Sequence, residues 1–250
     1  ERNGLAPLIR VNKIDLADDV STCRATMHLY LDLGYVGGDH MELKCPKCGV
    51  RACSAEPGSK PAPPFCPMET LPDLLARVRQ RYQEDPEVRR LAQAAAQVEA
   101  KGYCRWPRVE EVMAFARRLG ANQLGIAHCV GLAREASLLE DILVSNGFQV
   151  FSVCCKVGSI PKEEIGLADA EKVCPGQFEA LCNPVAQAQL LNEAGTGLNI
   201  VVGLCVGHDS LFFRHSQAPV TVLVAKDRVT GHNPAAALYT SHSYYSRLRK

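Results

Sequence analysis

Apolar residues recur at intervals of three and four along two Ala/Leu/Arg/Glu-rich stretches, 70–84 and 86–101, a spacing that predicts two helices. Pro86 stands where the second of these begins, with Asp85 in reach as its cap. A third helix is predicted over 109–119, stopping at Gly120. Beyond it the pattern changes to short apolar runs: "QLGIAHC" at 123–129, "FQVFSVCC" at 148–155, "LNIVVGLCV" at 198–206 and "PVTVLVAKD" at 219–227. Runs of this length alternating with amphipathic segments read as the strands of a parallel sheet covered by helices. Between the first two lies "GLAREASLLEDILVSNG", a crossover helix ending at Gly147. Before the third lies "NPVAQAQLLNEAG", with Asn183 as cap, Pro184 in the first turn and Gly195 as the stop. After the fourth, "NPAAALYTSHSYYS" is opened by the same pair at Asn233 and Pro234. The fold class expected is α/β, a three-layer domain with a mostly parallel sheet of four or five strands, preceded by a small cysteine-rich module and helices.

The expected organisation is a separate segment at 1–40, a four-cysteine module at 41–68, a helical segment at 69–120 and the α/β domain at 121–250. With 47% hydrophobic residues the chain can bury one substantial core. Its 28 basic and 27 acidic side chains leave no excess of positive charge to neutralise a phosphate backbone, so no nucleic-acid partner is expected. The longest apolar run, 198–207, is about half of a bilayer-spanning helix, and no membrane association is expected either. Twelve cysteines in a chain of this size, without an export signal, point to a reducing cytoplasm and to thiols used as ligands, redox groups or small buried hydrophobes.

Four of those cysteines, Cys45, Cys48, Cys53 and Cys66, fall in "MELKCPKCGVRACSAEPGSKPAPPFCPM" at 41–68. Cys45 and Cys48 form a knuckle shaped by Pro46 and Gly49, which aims two thiolates at one ion, and Cys53 with Cys66 can complete a tetrahedron. The Pro-rich loop has little core of its own, so a metal would be needed to order it. Zinc is the expected cofactor, and the same ligands can hold an iron–sulfur cluster. The alternative is four exposed, reduced thiols.

In an open α/β sheet ligands bind beyond the carboxyl ends of the strands. That edge is expected to receive His128 and Cys129, Cys154 and Cys155, then Cys205, His208 and Asp209, and finally Asp227. Cys174 and Cys182, in the irregular connection "EKVCPGQFEALCNP", are placed to close over it, and His232 is a further candidate. Such thiolates can ligate a second metal or cluster, or one can be a nucleophile activated by a helix amino terminus. Cys129, Cys205 and the nearer of Cys154 and Cys155 are expected to share a ligand. Period-two alternation sends the other of that adjacent pair to the core. For each residue a plainer role stands beside this one: a buried cysteine, a cap at Asp209, a solvated turn at Asp227 and Arg228, a hydrogen-bonded turn histidine at His232. His242, Tyr244 and Tyr245 are expected to pack against the sheet.

Two resemblances accompany these readings. The run from "CNPVAQAQLLNEAG" to "TSHSYY", with "CVGLAREA", "CCKVG" and the four amino-terminal cysteines, resembles domain-of-unknown-function family eighteen forty-seven, uncharacterised prokaryotic metal-binding proteins. The resemblance covers Met41 to about Leu248 and implies that Cys45, Cys48, Cys53 and Cys66 are the zinc ligands; it implies no activity. Residues 1–40 contain "LIRVNKIDLADDVSTCRATMHLYLDLGYV", which resembles the guanine-specificity strand and helix of a circularly permuted ribosome-assembly GTPase. No phosphate-cradling G-x-x-x-x-G-K-[ST] loop follows, so this segment is expected to be inert toward nucleotides. Met41 reads as a natural start, with the first forty residues arising from a wrong start or a joined reading frame. Three functions are compatible with the residues: a cytoplasmic metal-binding protein, an enzyme using the strand-end thiol or metal site on a small molecule, and an interaction or sensor protein whose zinc module meets a partner protein.

Overall fold

The computed structural model of the protein describes residues 42–249. The GTPase-like reading of the amino-terminal segment lies outside the described residues. The chain divides into two compact units between Ala76 and Arg77.

In the first unit, Cys45–Lys47 and Ala52–Ser54 are single 3₁₀ turns, and Pro67–Thr70 is a one-turn helix that starts directly after Cys66. Helix α1, Pro72–Glu84, begins in this unit and runs into the next.

The second unit continues with α2 (Pro86–Gly102) and α3 (Arg108–Arg118). The Asp85 carboxylate accepts from the amides of Glu87 and Val88 at 3.0 and 3.1 Å, so the cap read from the sequence is present. The remaining order is β1 (Gln123–His128), α4 (Ala133–Ser145), β2 (Gln149–Cys154), α5 (Pro184–Glu193), β3 (Leu198–Val202), α6 (His208–His215), β4 (Val220–Val224) and α7 (Ala235–Tyr239). All four strands are parallel, in the order β2-β1-β3-β4. The α/β fold is therefore as expected, with four strands. Right-handed crossovers put α4 on one face with α3, and α5 and α6 side by side on the other.

The central strands β1 and β3 carry the core, with every residue of β3 buried. Leu124, Ile126, Leu198 and Ile200 are fully buried in one cluster with Leu139 and Leu143 of α4, Leu191 of α5 and Phe212 of α6. One buried polar side chain interrupts β3. Asn199 accepts from Thr196 Oγ1 at 2.7 Å and donates to Ser216 Oγ at 2.8 Å, so its amide is satisfied on both sides. It fits because Gly125 lies opposite on β1: a Cβ there would stand 2.0 Å from Asn199 Oδ1.

Three expectations are corrected. β3 ends at Val202, because Gly203 turns into the left-handed region with φ +67°, so Cys205 sits on the loop after the strand and not on it. A Cβ at Gly203 would stand 2.0 Å from Leu132 Cδ1, so the turn also needs the missing side chain. The last helix has five residues, and the Asn233 side chain does not cap it. His242 and Tyr244 are exposed and Tyr245 is half-buried, where packing against the sheet was expected.

Gly125→Ala forces the methyl into Asn199 Oδ1 and Leu191 Cδ1. Overpacking of this kind is expected to cost about 1–3 kcal/mol in urea unfolding, and a variant as stable as the parent would show that the Asn199 network is not held as described.

Candidate functional site

Parallel strands bring four carboxyl ends to one edge, and the helices that return the chain, α4, α5 and α6, begin there. The strand order reverses between β1 and β3, the position at which open α/β sheets take up ligands beyond their carboxyl ends. Cys129 leaves β1 at this point. Its amide donates to Val202 O at 3.1 Å, extending the ladder by one position, and its carbonyl accepts from Leu132 at 2.9 Å as the chain turns into α4. Cys155 leaves β2 in the same way, donating to His128 O at 2.9 Å. Both side chains are buried.

Cys182 arrives from the other direction. It directly precedes Asn183, whose side chain caps α5 by accepting from Ala186 N at 3.0 Å, so the sulfur sits at the positive end of that helix dipole. The Asn183 amide donates to Cys155 O at 2.7 Å and docks the loop back onto the end of β2. Lys156 Nζ donates to Ala180 O in the same loop. These contacts bring the Cys155 and Cys182 segments together, close enough for each thiol to shift the pKa of the other.

The two thiols of this pair differ in charge. The hydrogen bond from Cys155 is the main cause that lowers the Cys182 pKa to about 5; the Lys156 ammonium and His208 reinforce it, and partial burial opposes it. The Cys155 thiol is pushed up, first by its Cys182 partner and then by burial, although the Val130 amide donates to its sulfur at 3.3 Å. The surroundings therefore favour the thiolate form at Cys182 and the protonated form at Cys155.

Cys205 lies on the loop after β3. Arg228 Nη2 donates to its sulfur at 3.0 Å, and this contact raises the Arg228 pKa further. The Arg228 charge also lies within electrostatic reach of Cys129 and Cys182. Lys226 Nζ is 3.5 Å from where a Cβ on Gly131 would stand, and Cys129 Sγ is 4.0 Å from the same point. Among the described residues Lys156, Lys226 and Arg228 form no ion pair with a carboxylate. His208 opens α6, with Nδ1 buried and without a hydrogen-bond partner among them.

The edge thus gathers Cys129, Cys155, Cys182, Cys205 and His208. Cys154, the last residue of β2, is half-buried and packs against the core cluster to which Cys155 belongs. Cys174 is exposed on the connecting loop. Asp209 serves α6, accepting from Gly207 and Ser210 amides at 3.0 and 2.8 Å. Asp227 accepts from the Val229 and Thr230 amides, and His232 Nδ1 accepts from the Asp227 amide at 3.1 Å, so both belong to one turn. His128 sets its Nδ1 3.1 Å from Cys129 O. Arg228 is the correction here: expected in a solvated turn, it reaches back to Cys205 because β4 ends next to β3. Lys156 and Lys226 were not read as site residues either, although each adjoins in sequence a residue that was. A cavity of about 460 Å³ lies elsewhere, between α2, α3 and the start of β4, near Arg108 and Thr221.

In the first unit the Arg51 amide donates to Cys48 Sγ at 3.4 Å, and the Cys48 amide donates to Cys45 O at 3.0 Å. Cys45 and Cys53 are exposed, Cys48 and Cys66 half-buried. Among the described residues no three or more His, Cys, Asp or Glu side chains are grouped as a metal cage. None of their helices is long and apolar enough to cross a membrane.

The fold defines a parallel α/β protein with several cysteines near its strand carboxyl ends. The chain belongs to the family described as proteins of unknown function, DUF1847, whose model matches residues 66–223. That match takes in Cys66 and the strand-end residues Cys129, Cys155, Lys156, Cys182 and Cys205. It is similar to an uncharacterised protein of Methanocaldococcus jannaschii, MJ0455, at 39% identity over 206 residues, 82% of this chain and 98% of that protein. No solved structure matches.

Alkylation of Cys182 by iodoacetamide, followed by peptide mass mapping, is expected to rise with a midpoint near pH 5, far below the usual thiol range. The thiolate's contribution to folding stability is complete above the ordinary thiol value of 9.0 and is lost as pH falls to about 5. Cys155 stays protonated across that window. Lys156→Met is expected to raise the midpoint, and a wild-type midpoint between about 8 and 9 would contradict the assigned geometry.

Proposed function

We propose that the protein is a thiol-dependent enzyme that acts on a small molecule at the strand-end crevice, with Cys182 as the nucleophile. The observation that carries this reading is the pairing of Cys182 with Cys155 and Lys156 at the amino terminus of α5. A thiol is a useful nucleophile only as its thiolate, and a hydrogen-bond donor, an ammonium and a helix dipole favour that form together. Lys156 and Arg228 balance the negative charge of the sulfurs, and the unpaired Lys226 beside Gly131 offers a contact for an anionic group of the substrate. Three cations around the sulfurs favour thiolates over a bare dication at this edge. Free thiols of this kind require a reducing compartment, for which the cytoplasm is the natural choice. Against a panel of small thioesters, disulfides and aldehydes, Cys182→Ala is expected to abolish turnover while keeping the melting temperature within a few degrees of wild type; undiminished turnover in that variant sinks the reading.

A second reading concerns the first unit, where Cys45, Cys48, Cys53 and Cys66 are proposed to hold zinc, or an iron–sulfur cluster on the same thiolates. It is favoured by the amide of Arg51 aimed at Cys48 Sγ, since an N–H donor to sulfur stabilises the thiolate form that a metal requires. When bound, the ion would order a segment that has almost no core. Elemental analysis of anaerobically purified protein is expected to find about one zinc per chain, lost in Cys48→Ser with the far-ultraviolet circular dichroism of the α/β unit preserved. Full metal content in a variant lacking all four thiols would exclude the site.

A further inference from the structure

We propose that Cys182 and Cys155 form a two-electron dithiol–disulfide couple whose co-substrate is a low-molecular-weight disulfide, Cys182 attacking and Cys155 resolving. The proposal rests on the reading of Cys182 as nucleophile and adds the class of molecule it attacks. Three features of the pair carry it. The Asn183 amide donates to Cys155 O at 2.7 Å, so the residue next to Cys182 is tied directly to Cys155 and the two cysteines are held at one point of the frame. Cys182 is half-buried, whereas Cys155 is 2% exposed. The Val130 amide already donates to Cys155 Sγ at 3.3 Å, a contact that stabilises a thiolate there at the moment it is needed. A single nucleophile needs no second thiol hidden behind it; a resolving cysteine must sit where a substrate cannot reach.

The chemistry balances without any further reagent. The Cys182 thiolate attacks one sulfur of the disulfide R–S–S–R, forming a Cys182–S–S–R bond and releasing R–S⁻. Cys155 then gives its proton to that leaving thiolate, and its own sulfur attacks Cys182 Sγ. The Cys182–S–R bond breaks, a second R–S⁻ leaves, and the Cys155–Cys182 disulfide is complete. The protein loses two electrons and R–S–S–R gains them. Two equivalents of the thiol run the sequence backwards. Arg228, within electrostatic reach of Cys182, and Lys156 favour an R group that carries a carboxylate and stabilise each departing thiolate.

The test uses the full chain, reduced and then mixed with oxidised glutathione under argon, with each cysteine followed by differential alkylation and peptide mapping. Cys155 and Cys182 are expected to disappear together, joined in one cross-linked peptide pair, with two glutathione released for each pair formed. Cys155→Ser is expected to stop the sequence half-way, with one glutathione held on Cys182 and one released. Cys155→Ala, which leaves no hydroxyl buried without a partner, should behave identically and separates loss of the resolving thiol from a folding defect. Cys182→Ser should leave Cys155 reduced. If wild-type protein instead accumulates glutathione on Cys182 while Cys155 stays reduced, the couple is overturned and Cys182 survives as a nucleophile. If Cys182 reacts no faster than the exposed Cys174, both the couple and the nucleophile reading fall.

Discussion

The hydrogen bond from the Asn183 amide to the Cys155 carbonyl is the contact on which the strand-end edge depends. It joins the end of β2 to the start of α5 and so converts two cysteines far apart in the chain into neighbours. One backbone hydrogen bond contributes only about 1 kcal/mol net, too little to close so long a connection alone. Other contacts therefore hold the connection with it. Leu181 donates to Ile160 O at 2.7 Å, Lys162 pairs with Glu179, and Lys172 pairs with both Glu163 and Asp169. On the helix side the fully buried Gln187 donates to His128 O and Val153 O at 3.2 and 2.7 Å, which anchors α5 to the ends of β1 and β2. The Cys182 position is thus set from both directions, by a loop braced with ion pairs and by a helix tied to the sheet.

The same bracing sorts charge. The carboxylates near the edge are all engaged locally. Glu179 and Asp169 stabilise the connecting loop, Asp209 serves α6, and Asp227 serves its own turn. Lys162 and Lys172 take the loop carboxylates, while Lys156, Lys226 and Arg228 remain for the sulfurs. An edge where, among the described residues, cations face thiols and the nearby carboxylates are engaged by backbone amides or lysines favours thiolates and anionic ligands. This separation arises from position in the sequence. The acidic residues lie next to backbone amides they can satisfy locally, and the three cations have long side chains that reach inward.

Much of this was legible in the sequence. Caps at Asp85 and Asn183, stops at Gly120, Gly147 and Gly195, and the four apolar runs mark elements by local chemistry, and the structure follows them closely. What was not legible depends on contacts distant in sequence. Nothing in "EKVCPGQFEALCNP" says that Cys182 docks while Cys174 stays exposed, because the loop ion pairs decide it. Nor does "KDR" reveal that Arg228 turns back to Cys205; that needs β4 beside β3 and the left-handed Gly203, which moves Cys205 off the strand.

The two sets of cysteines also differ in what must order them. Cys129, Cys155, Cys182 and Cys205 are attached to strand ends, a helix start and a glycine turn, and their backbones are fixed by hydrogen bonds that exist whether or not anything is bound. Cys45, Cys48, Cys53 and Cys66 are attached to single turns separated by a Pro- and Gly-rich loop, with Ala52 the one buried hydrophobic residue among those described before α1. Burial of one alanine cannot offset the backbone entropy of ordering such a segment, which costs about 1–2 kcal/mol per residue. A ligand held by the amino-terminal thiols would therefore have to supply the order that the sheet supplies to the strand-end thiols. The backbone around the strand-end set is ordered by the sheet itself, whereas the amino-terminal set depends for its order on whatever it binds.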